Sequence, residues 1–123
     1  MGKAIAITLN GPTVTTPLPT QQSYVAEDAL ITFSMSPTAA ITGNTIALTF
    51  RDRANGTVLF VKPGTIVSAP TGVFTVPLAA ADTDPGASPT PGIGIGLYDV
   101  SVDRTDAGNA TCWATAPWQV LPR

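Results

Sequence analysis

The segment GIGIG at residues 92–96 has the residue types and spacing that come nearest to a phosphate-binding loop. Dinucleotide-binding loops place glycines between a strand and the first turn of a helix, where backbone amides face the phosphates. Here the segment is followed directly by GLYDVSV, which alternates apolar and polar residues like a strand. Because no helix follows to receive an anion, we interpret GIGIG as the end of a loop, DPGASPTPGIGI, that leads into a strand.

Catalysis by histidine is excluded, because the chain contains no histidine. Triads of the Ser-His-Asp or Cys-His kind are therefore excluded, as are zinc sites built from histidine and cysteine clusters. The single cysteine, Cys112, rules out an intrachain disulfide and alternates with residues expected to face inward. We predict that Cys112 is a small buried hydrophobic residue rather than a reactive thiol.

Carboxylates are the remaining candidates for chemistry. Eight are present, and these are Glu27, Asp28, Asp52, Asp82, Asp84, Asp99, Asp103 and Asp106. Asp82 and Asp84, with Glu27 or Asp28 nearby, offer oxygen ligands for calcium, and a carboxylate pair is also the device of sugar hydrolases. Aspartates in turns more commonly accept hydrogen bonds from neighbouring backbone amides, so turn capping is the favoured interpretation. We therefore predict a protein that is not an enzyme and that carries no metal or cofactor.

Two tryptophans stand five residues apart in the last predicted strand, TCWATAPWQV at 111–120. Alternation along a strand then places them on opposite faces. We assign Trp118 to the core and predict that Trp113 faces outward. An exposed tryptophan can stack on a sugar or anchor a protein interface.

The charge balance excludes some partners. The net charge is −2, and the six basic residues are scattered along the chain rather than clustered. A nucleic-acid-binding protein needs clustered Lys and Arg to displace counterions, so nucleic acid is not an expected partner. No apolar stretch is long enough for a membrane span, and the N-terminal residues do not match an export signal, so we expect no membrane association and synthesis in soluble form in a cytoplasm.

The elements that position these residues are predicted to be strands. Thr and Val favour pleated surfaces, and 12 Pro and 11 Gly indicate frequent turns. Alternating segments recur at ALITFSM (29–35), TIALTFRDR (45–53), GVFTVPL (72–78) and GLYDVSVDRT (96–105). The pair Asn55-Gly56 is typical of a tight hairpin turn. These features predict an all-β, antiparallel sandwich of about seven strands, with a closed barrel as the structural alternative.

The N-terminal residues differ from the rest of the chain. KAIAITL at 3–9 can form an opening strand, and NGPTVTTPLPTQQS at 10–23 is uncharged and rich in proline. We predict a strand and extended arm over residues 1–25 and a sandwich domain over 26–123. The arm, the loop before residue 96 and the outward tryptophan supply the candidate interaction residues, which are Pro12, Val14, Pro17, Leu18, Pro19, Pro89, Pro91, Ile93, Ile95 and Trp113.

Several motifs carry a resemblance to a known family. They are ITFSM, ITGNTIALTFRDR, GVFTVPLAAADTD, GLYDVSVDRTDAGN and the closing aromatic strand. In this order the chain resembles the small immunoglobulin-like domains of tailed-phage virions, including the N-terminal domains of baseplate upper proteins. The resemblance implies that Tyr98, in the pattern Gly96-x-Tyr98-x-Val100, forms a tyrosine corner whose hydroxyl bonds to backbone upstream. The insertion PGASPTPGIGI before this pattern departs from the family.

The resemblance implies an immunoglobulin-like fold and a non-catalytic role in a virion. The protein would decorate or cement a capsid, or belong to a tail, baseplate or collar. Its expected partners are other virion proteins, including further copies of itself in a homo-oligomeric assembly. A carbohydrate-binding or adhesion module, using Trp113 and the carboxylates, is the alternative.

Overall fold

A computed structural model of the chain describes residues 3–11 and 15–123. The described residues form ten strands and one short helix. In chain order these are β1 (Lys3–Leu9), β2 (Thr16–Pro17), β3 (Gln21–Tyr24), β4 (Ala29–Met35), β5 (Thr45–Arg51), β6 (Val58–Pro63), β7 (Thr65–Ser68), β8 (Val73–Leu78), α1 (Ala80–Thr83), β9 (Gly96–Asp106) and β10 (Asn109–Leu121).

The strands form two sheets that pack face to face. The four-stranded sheet has the order β1-β4-β8-β7, and the six-stranded sheet runs β10-β9-β5-β6 with both β2 and β3 on the free side of β10. Alternate residues of each strand point into the space between the sheets, and almost all of these are apolar and buried. The predicted all-β sandwich is therefore confirmed.

The sheets are mixed rather than wholly antiparallel as predicted. β1 pairs with β4 in parallel, and both β2 and β3 pair with β10 in parallel, whereas the other pairs are antiparallel. The parallel partner of β3 lies at the opposite end of the chain, so local alternation carries no signal for it. The immunoglobulin-like assignment stays a prediction, because that fold is described by antiparallel sheets.

The segment predicted as an extended arm lies along this chain's own sheet. The amide of Leu18 donates to the carbonyl of Thr115 at 2.9 Å, and the amide of Val25 donates to the carbonyl of Leu121 at 2.9 Å. Pro17 and Pro19 have no amide hydrogen, which suits a position at the margin of a sheet. Residues 15–25 are thus held by backbone hydrogen bonds to β10.

Aromatic rings fill the centre of the sandwich. Phe33 and Phe74 stack with centroids 4.8 Å apart, and Phe50 meets the edge of Trp118 at 5.4 Å. The indole nitrogen of Trp118 donates to the buried hydroxyl of Ser23 at 2.9 Å, which satisfies its polar atom. The prediction that Trp118 belongs to the core is confirmed.

The hairpin predicted at Asn55-Gly56 is present. β5 and β6 pair in antiparallel register, and the amides of Asp52 and Gly56 close the turn with backbone bonds to Thr57 and Asp52. Gly56 has φ of 73°, in the left-handed region that glycine enters without steric cost.

Candidate interaction surfaces

The predicted acidic site at Asp82 and Asp84 lies where β8 passes into helix α1. The Asp82 carboxylate accepts a hydrogen bond from the Ala79 amide at 2.8 Å and forms an ion pair with Lys62 at 3.0 Å. The Asp84 carboxylate accepts from the Gly86 amide at 2.9 Å. Across residues 3–11 and 15–123, no three His, Cys, Asp or Glu side chains come together in a way that would hold a metal ion. Both aspartates thus have the turn-capping bonds that the sequence favoured.

The glycines of GIGIG pack the loop against α1. The amides of Gly92, Ile93 and Gly94 donate to the carbonyls of Asp84, Asp82 and Thr83 at 2.7, 3.0 and 3.1 Å. A Cβ atom at Gly92 would lie 2.5 Å from the carbonyl oxygen of Ala81, closer than real contacts allow. The glycine therefore permits a close backbone approach, and the amides that a phosphate would need are already bonded to carbonyls.

Tyr98 anchors the same loop from the side of β9. Its hydroxyl lies 2.6 Å from the carbonyl oxygen of Ile93, to which it donates, and 3.1 Å from that of Gly94. Burial, and secondarily the negative charge of Asp52, raises the pKa of Tyr98 above its ordinary value, so the hydroxyl keeps its proton as a donor. The bond to upstream backbone that the family resemblance implied for Tyr98 is confirmed.

The loop residues predicted as contacts are brought together with β6. Pro89, Pro91 and Ile93 line a groove of about 310 Å³ together with Leu59 and Phe60. We refer to it as the loop groove. Ile93 is half-buried and packs on the core, whereas Pro89 and Pro91 are exposed. Beyond the residues that line the groove, Ile95 is 60% exposed, and two residues of β6 (Val58 and Val61) add further exposed apolar surface.

The prediction that Trp113 faces outward is wrong. Trp113 is fully buried, with its ring centroid 5.7 Å from that of Phe74 and 5.2 Å from the Arg104 guanidinium. The cause is a bulge in β10, where Cys112 pairs with Asp103 but Ala114 already pairs with Val102. The extra residue shifts the alternation by one, so both tryptophans enter the core.

The same bulge moves Cys112 away from the inward face that the sequence predicted for it. Cys112 is half-buried, and its thiol donates to the Ala114 carbonyl at 3.4 Å. Burial raises the pKa of the Cys112 thiol, and the neighbouring Asp103 carboxylate raises it further, so the thiolate is disfavoured. The prediction of an unreactive thiol is consistent with this environment, although its cause differs from the one predicted.

The candidate interaction residues of the N-terminal segment differ in their exposure. Pro17 and Pro19 are exposed, whereas Leu18 is half-buried and packs against the core. Pro12 and Val14 lie outside the described residues.

The outward-facing strand residues of the four-stranded sheet carry no charge, and Lys3, Asp28 and Lys62 border this surface at one end. Its outward-facing residues on β1, β4, β8 and β7 are all small, hydroxylated or apolar, and we call this surface the uncharged face. They are Ala4, Ala6, Thr8, Leu30, Thr32, Ser34, Thr65, Val73, Thr75 and Pro77. Leu30 is 50% exposed near one end of this surface, between Ala4 and Pro77, and Val67, at the bulge in β7, is 63% exposed.

The outer surface of the six-stranded sheet is ionic by contrast. The Arg51 guanidinium donates to the Ser101 hydroxyl at 2.7 Å, and that hydroxyl donates to the Asp103 carboxylate at 2.9 Å. The Thr49 hydroxyl donates to the same carboxylate at 3.3 Å. Arg53 and Asp99 approach to 3.8 Å nearby. We call this surface the ionic face, and its charges are arranged in partnered groups.

Comparison with known proteins gives a likeness of fold. The chain is similar to a solved structure described as the N-terminal domain of phage TP901-1 ORF48, with 9% sequence identity and a TM-score of 0.54 over 97% of each chain. No protein-family model matches the sequence, and no curated protein matches it. Within the described part of the chain, no helix has the length and hydrophobicity to cross a membrane. The fold is thus one that a phage protein domain shares along almost its whole length.

Proposed function

We propose that the protein is a non-catalytic structural component of a phage virion and that it acts through protein–protein contacts. The observation that carries the proposal is the likeness to a phage domain across 97% of both chains, which leaves little of either chain without a counterpart. The low charge of the sequence and its lack of histidine accord with a role in assembly rather than in catalysis.

Two surfaces are suited to such contacts. The uncharged face offers small, hydroxylated and apolar side chains that carry no charge to desolvate, with Lys3, Asp28 and Lys62 only at one end of it. The loop groove places Pro89 and Pro91 beside the exposed Leu59, at the opposite sheet. Contiguous exposed apolar surface of this kind marks interaction sites in soluble proteins. We assign the partners as other virion proteins, with further copies of this chain among them.

The finer location that we propose is the outer surface of the particle. The protein would decorate or cement a capsid, or form part of a tail, baseplate or collar, and it would be localised in the virion. It requires no cofactor in this role, and with a net charge of −2 it is not assigned a contact to nucleic acid.

The alternative, a carbohydrate-binding module, depended mainly on an exposed tryptophan that could stack on a sugar. Trp113, the side chain assigned to stack on a sugar, is fully buried. Asp82 and Asp84 are occupied by backbone amides and Lys62 rather than gathered around an open site. No observation on the described residues favours a glycan over a protein as the ligand.

The experiment is to locate the protein in purified particles of the phage whose genome encodes it. Particles are banded in a density gradient, and the protein is quantified by peptide mass spectrometry against the major capsid protein. A component of the virion is expected to band with infectious particles at a constant ratio to the capsid protein. A non-virion protein of the same phage, expressed at a similar level, is the control for carry-over. Recovery of the chain only in the soluble lysate, with particles free of it, would contradict the proposal.

A further inference from the structure

One margin of the four-stranded sheet has backbone groups with no partner among the described residues. β1 lies at the end of that sheet, and its register with β4 runs from Lys3 to Leu9 without a shift. The Lys3 amide donates to the Asp28 carbonyl and the Leu9 carbonyl accepts from the Ser36 amide, each at 2.9 Å. Because backbone groups alternate in direction along a strand, Lys3, Ile5, Ile7 and Leu9 bond to β4. The amides and carbonyls of Ala4, Ala6 and Thr8 therefore point to the free edge.

The other described edges are protected in ways that β1 is not. β7 is four residues long and carries a bulge between Ile66 and Ser68. β6 has its own register shift and ends at Pro63. The edge beside β10 is divided between the short strands β2 and β3, with Pro17 and Pro19 in it. Proteins commonly use bulges, prolines, charges and short strands to prevent edge pairing. β1 has seven residues, no proline and one charge, Lys3, at its first position.

We propose that the edge of β1 pairs with the same edge of a second copy of this chain, in antiparallel register about a twofold axis at Ala6. In this register Ala6 meets Ala6 of the other copy, and Ala4 meets Thr8. These pairs use the unpartnered amides and carbonyls, and each pair exchanges two hydrogen bonds. Ile5 meets Ile7 on the inner side, so the two apolar cores adjoin.

The residue types on β1 fit self-pairing better than pairing with a charged strand. The outward side chains at the contact are alanine and threonine, which are small enough for the close approach of opposed strands. Lys3 would lie opposite Leu9, which places the two Lys3 residues at opposite ends of the contact and about 20 Å apart. The two uncharged faces would then form one continuous surface across eight strands.

The test begins with the molar mass of the purified chain, measured by light scattering and sedimentation over a range of concentrations. A monomer–dimer equilibrium is expected for the natural sequence. Ala6→Lys and Ala6→Glu each place like charges directly opposite one another at the twofold axis, and each is expected to weaken the dimer at least roughly tenfold. A mixture of the two variants is expected to recover the dimer, because the opposed charges then attract.

The matched control is Thr65→Lys, which adds the same charge to the same sheet on the opposite edge strand, where Thr65 is exposed. This variant is expected to dimerise like the natural chain. Circular dichroism checks that each variant is folded. A natural chain that stays monomeric at millimolar concentration overturns the proposal, and so does a dimer that Ala6→Lys leaves intact.

Amide hydrogen exchange on the natural chain tests the proposal without relying on any variant. The amides of Ala4, Ala6 and Thr8 are expected to exchange quickly in dilute solution and to become protected as concentration rises, in step with the dimer mass. Exchange that stays fast in a dimeric sample overturns the proposal, because the contact would then lie elsewhere. These measurements use the isolated chain, so their outcome is independent of whether the protein is found in a virion.

Discussion

The two outer faces of the sandwich differ in how their side chains use hydrogen bonds and charge. The ionic face has Arg51, Ser101, Asp103 and Thr49 in one connected network, and Thr49 and Ser101 are buried within it although they lie on an outer surface. The uncharged face has Leu30 exposed on β4 and no ionisable side chain among its outward residues. The polar side chains of the ionic face are thus hydrogen-bonded to one another, whereas the uncharged face presents apolar and hydroxyl side chains to solvent.

The difference has a physical consequence for binding. Covering the ionic face with a partner would desolvate charged groups that already have partners, which costs free energy unless each is matched again. Covering the uncharged face removes apolar and hydroxyl surface from water without that cost. The ionic face therefore stabilises the fold, whereas the uncharged face can be covered by a partner at a lower cost in free energy.

The largest effect is expected for Leu30→Lys, which introduces a charge at an exposed apolar position of the uncharged face. If this face is buried in the particle, incorporation of the variant is expected to fall at least roughly tenfold, because an unpaired charge would be taken out of water. The measurement is the ratio of variant to natural protein in gradient-purified particles grown with both forms present.

The control for Leu30→Lys is Thr115→Lys, which adds the same charge to an exposed position on the outer surface of β10. Both sites are exposed, so both variants should keep the free energy of unfolding within about 0.5 kcal/mol. Equal incorporation of the two variants would remove the functional distinction between the faces.

The next effect is on stability and is expected from Asp103→Ala on the ionic face. Removal of the carboxylate leaves the buried hydroxyls of Ser101 and Thr49 without their acceptor, and it removes the negative charge from the network that includes Arg51. The free energy of unfolding in denaturant should fall by about 1–3 kcal/mol. Thr65→Ala on the four-stranded sheet should change it by no more than about 0.5 kcal/mol. A similar loss of unfolding free energy from both variants would show that the network around Asp103 stabilises the fold no more than an ordinary surface residue does.

The local features of these faces follow from sequence, because they depend on residues that are near one another in the chain. Alternation places Leu48 and Phe50 inward and Thr49 and Arg51 outward, as the structure shows. The Asn55-Gly56 pair determines the β5–β6 hairpin through the conformational freedom of one glycine. Gly92 also stands out in the sequence as part of GIGIG. The structure shows that a glycine is needed there because the backbone approaches α1 closely, not because it binds a phosphate.

The features that the sequence did not predict depend on pairing between strands that are far apart in the chain. Pro117 cannot donate a backbone hydrogen bond, which indicates that its strand is bulged or lies at an edge. Nothing in TCWATAP marks the position of the extra residue opposite β9, yet that bulge decides the orientation of both Trp113 and Cys112. The parallel pairing of β3 with β10 joins residues almost a hundred positions apart. Short-range periodicity carries no signal for either feature, so the sequence indicated neither the pairing of β3 with β10 nor the burial of Trp113.

The smallest effect is a change in the titration of Cys112, which reports the charge of the ionic face. Burial and then Asp103 raise the pKa of Cys112, while Arg51 lowers it. Because folding disfavours the thiolate, the stability linked to this group is present below the ordinary thiol pKa and is lost as pH rises above it. Asp103→Asn should shift the midpoint of alkylation to lower pH, and Arg51→Gln should shift it to higher pH.

The measurement is the rate of iodoacetamide reaction with Cys112 across the alkaline range, analysed for its midpoint and its plateau. A shift of half a pKa unit changes the thiolate fraction below the midpoint by about threefold. A looser fold in Asp103→Asn would raise the plateau rather than move the midpoint, which separates exposure from charge. Thr65→Ala, distant from the thiol on the other sheet, should move neither quantity. Midpoints that stay equal in all variants would mean that the charges of the ionic face do not act on the Cys112 thiol, and the contrast between the faces would then rest on hydrogen bonding alone.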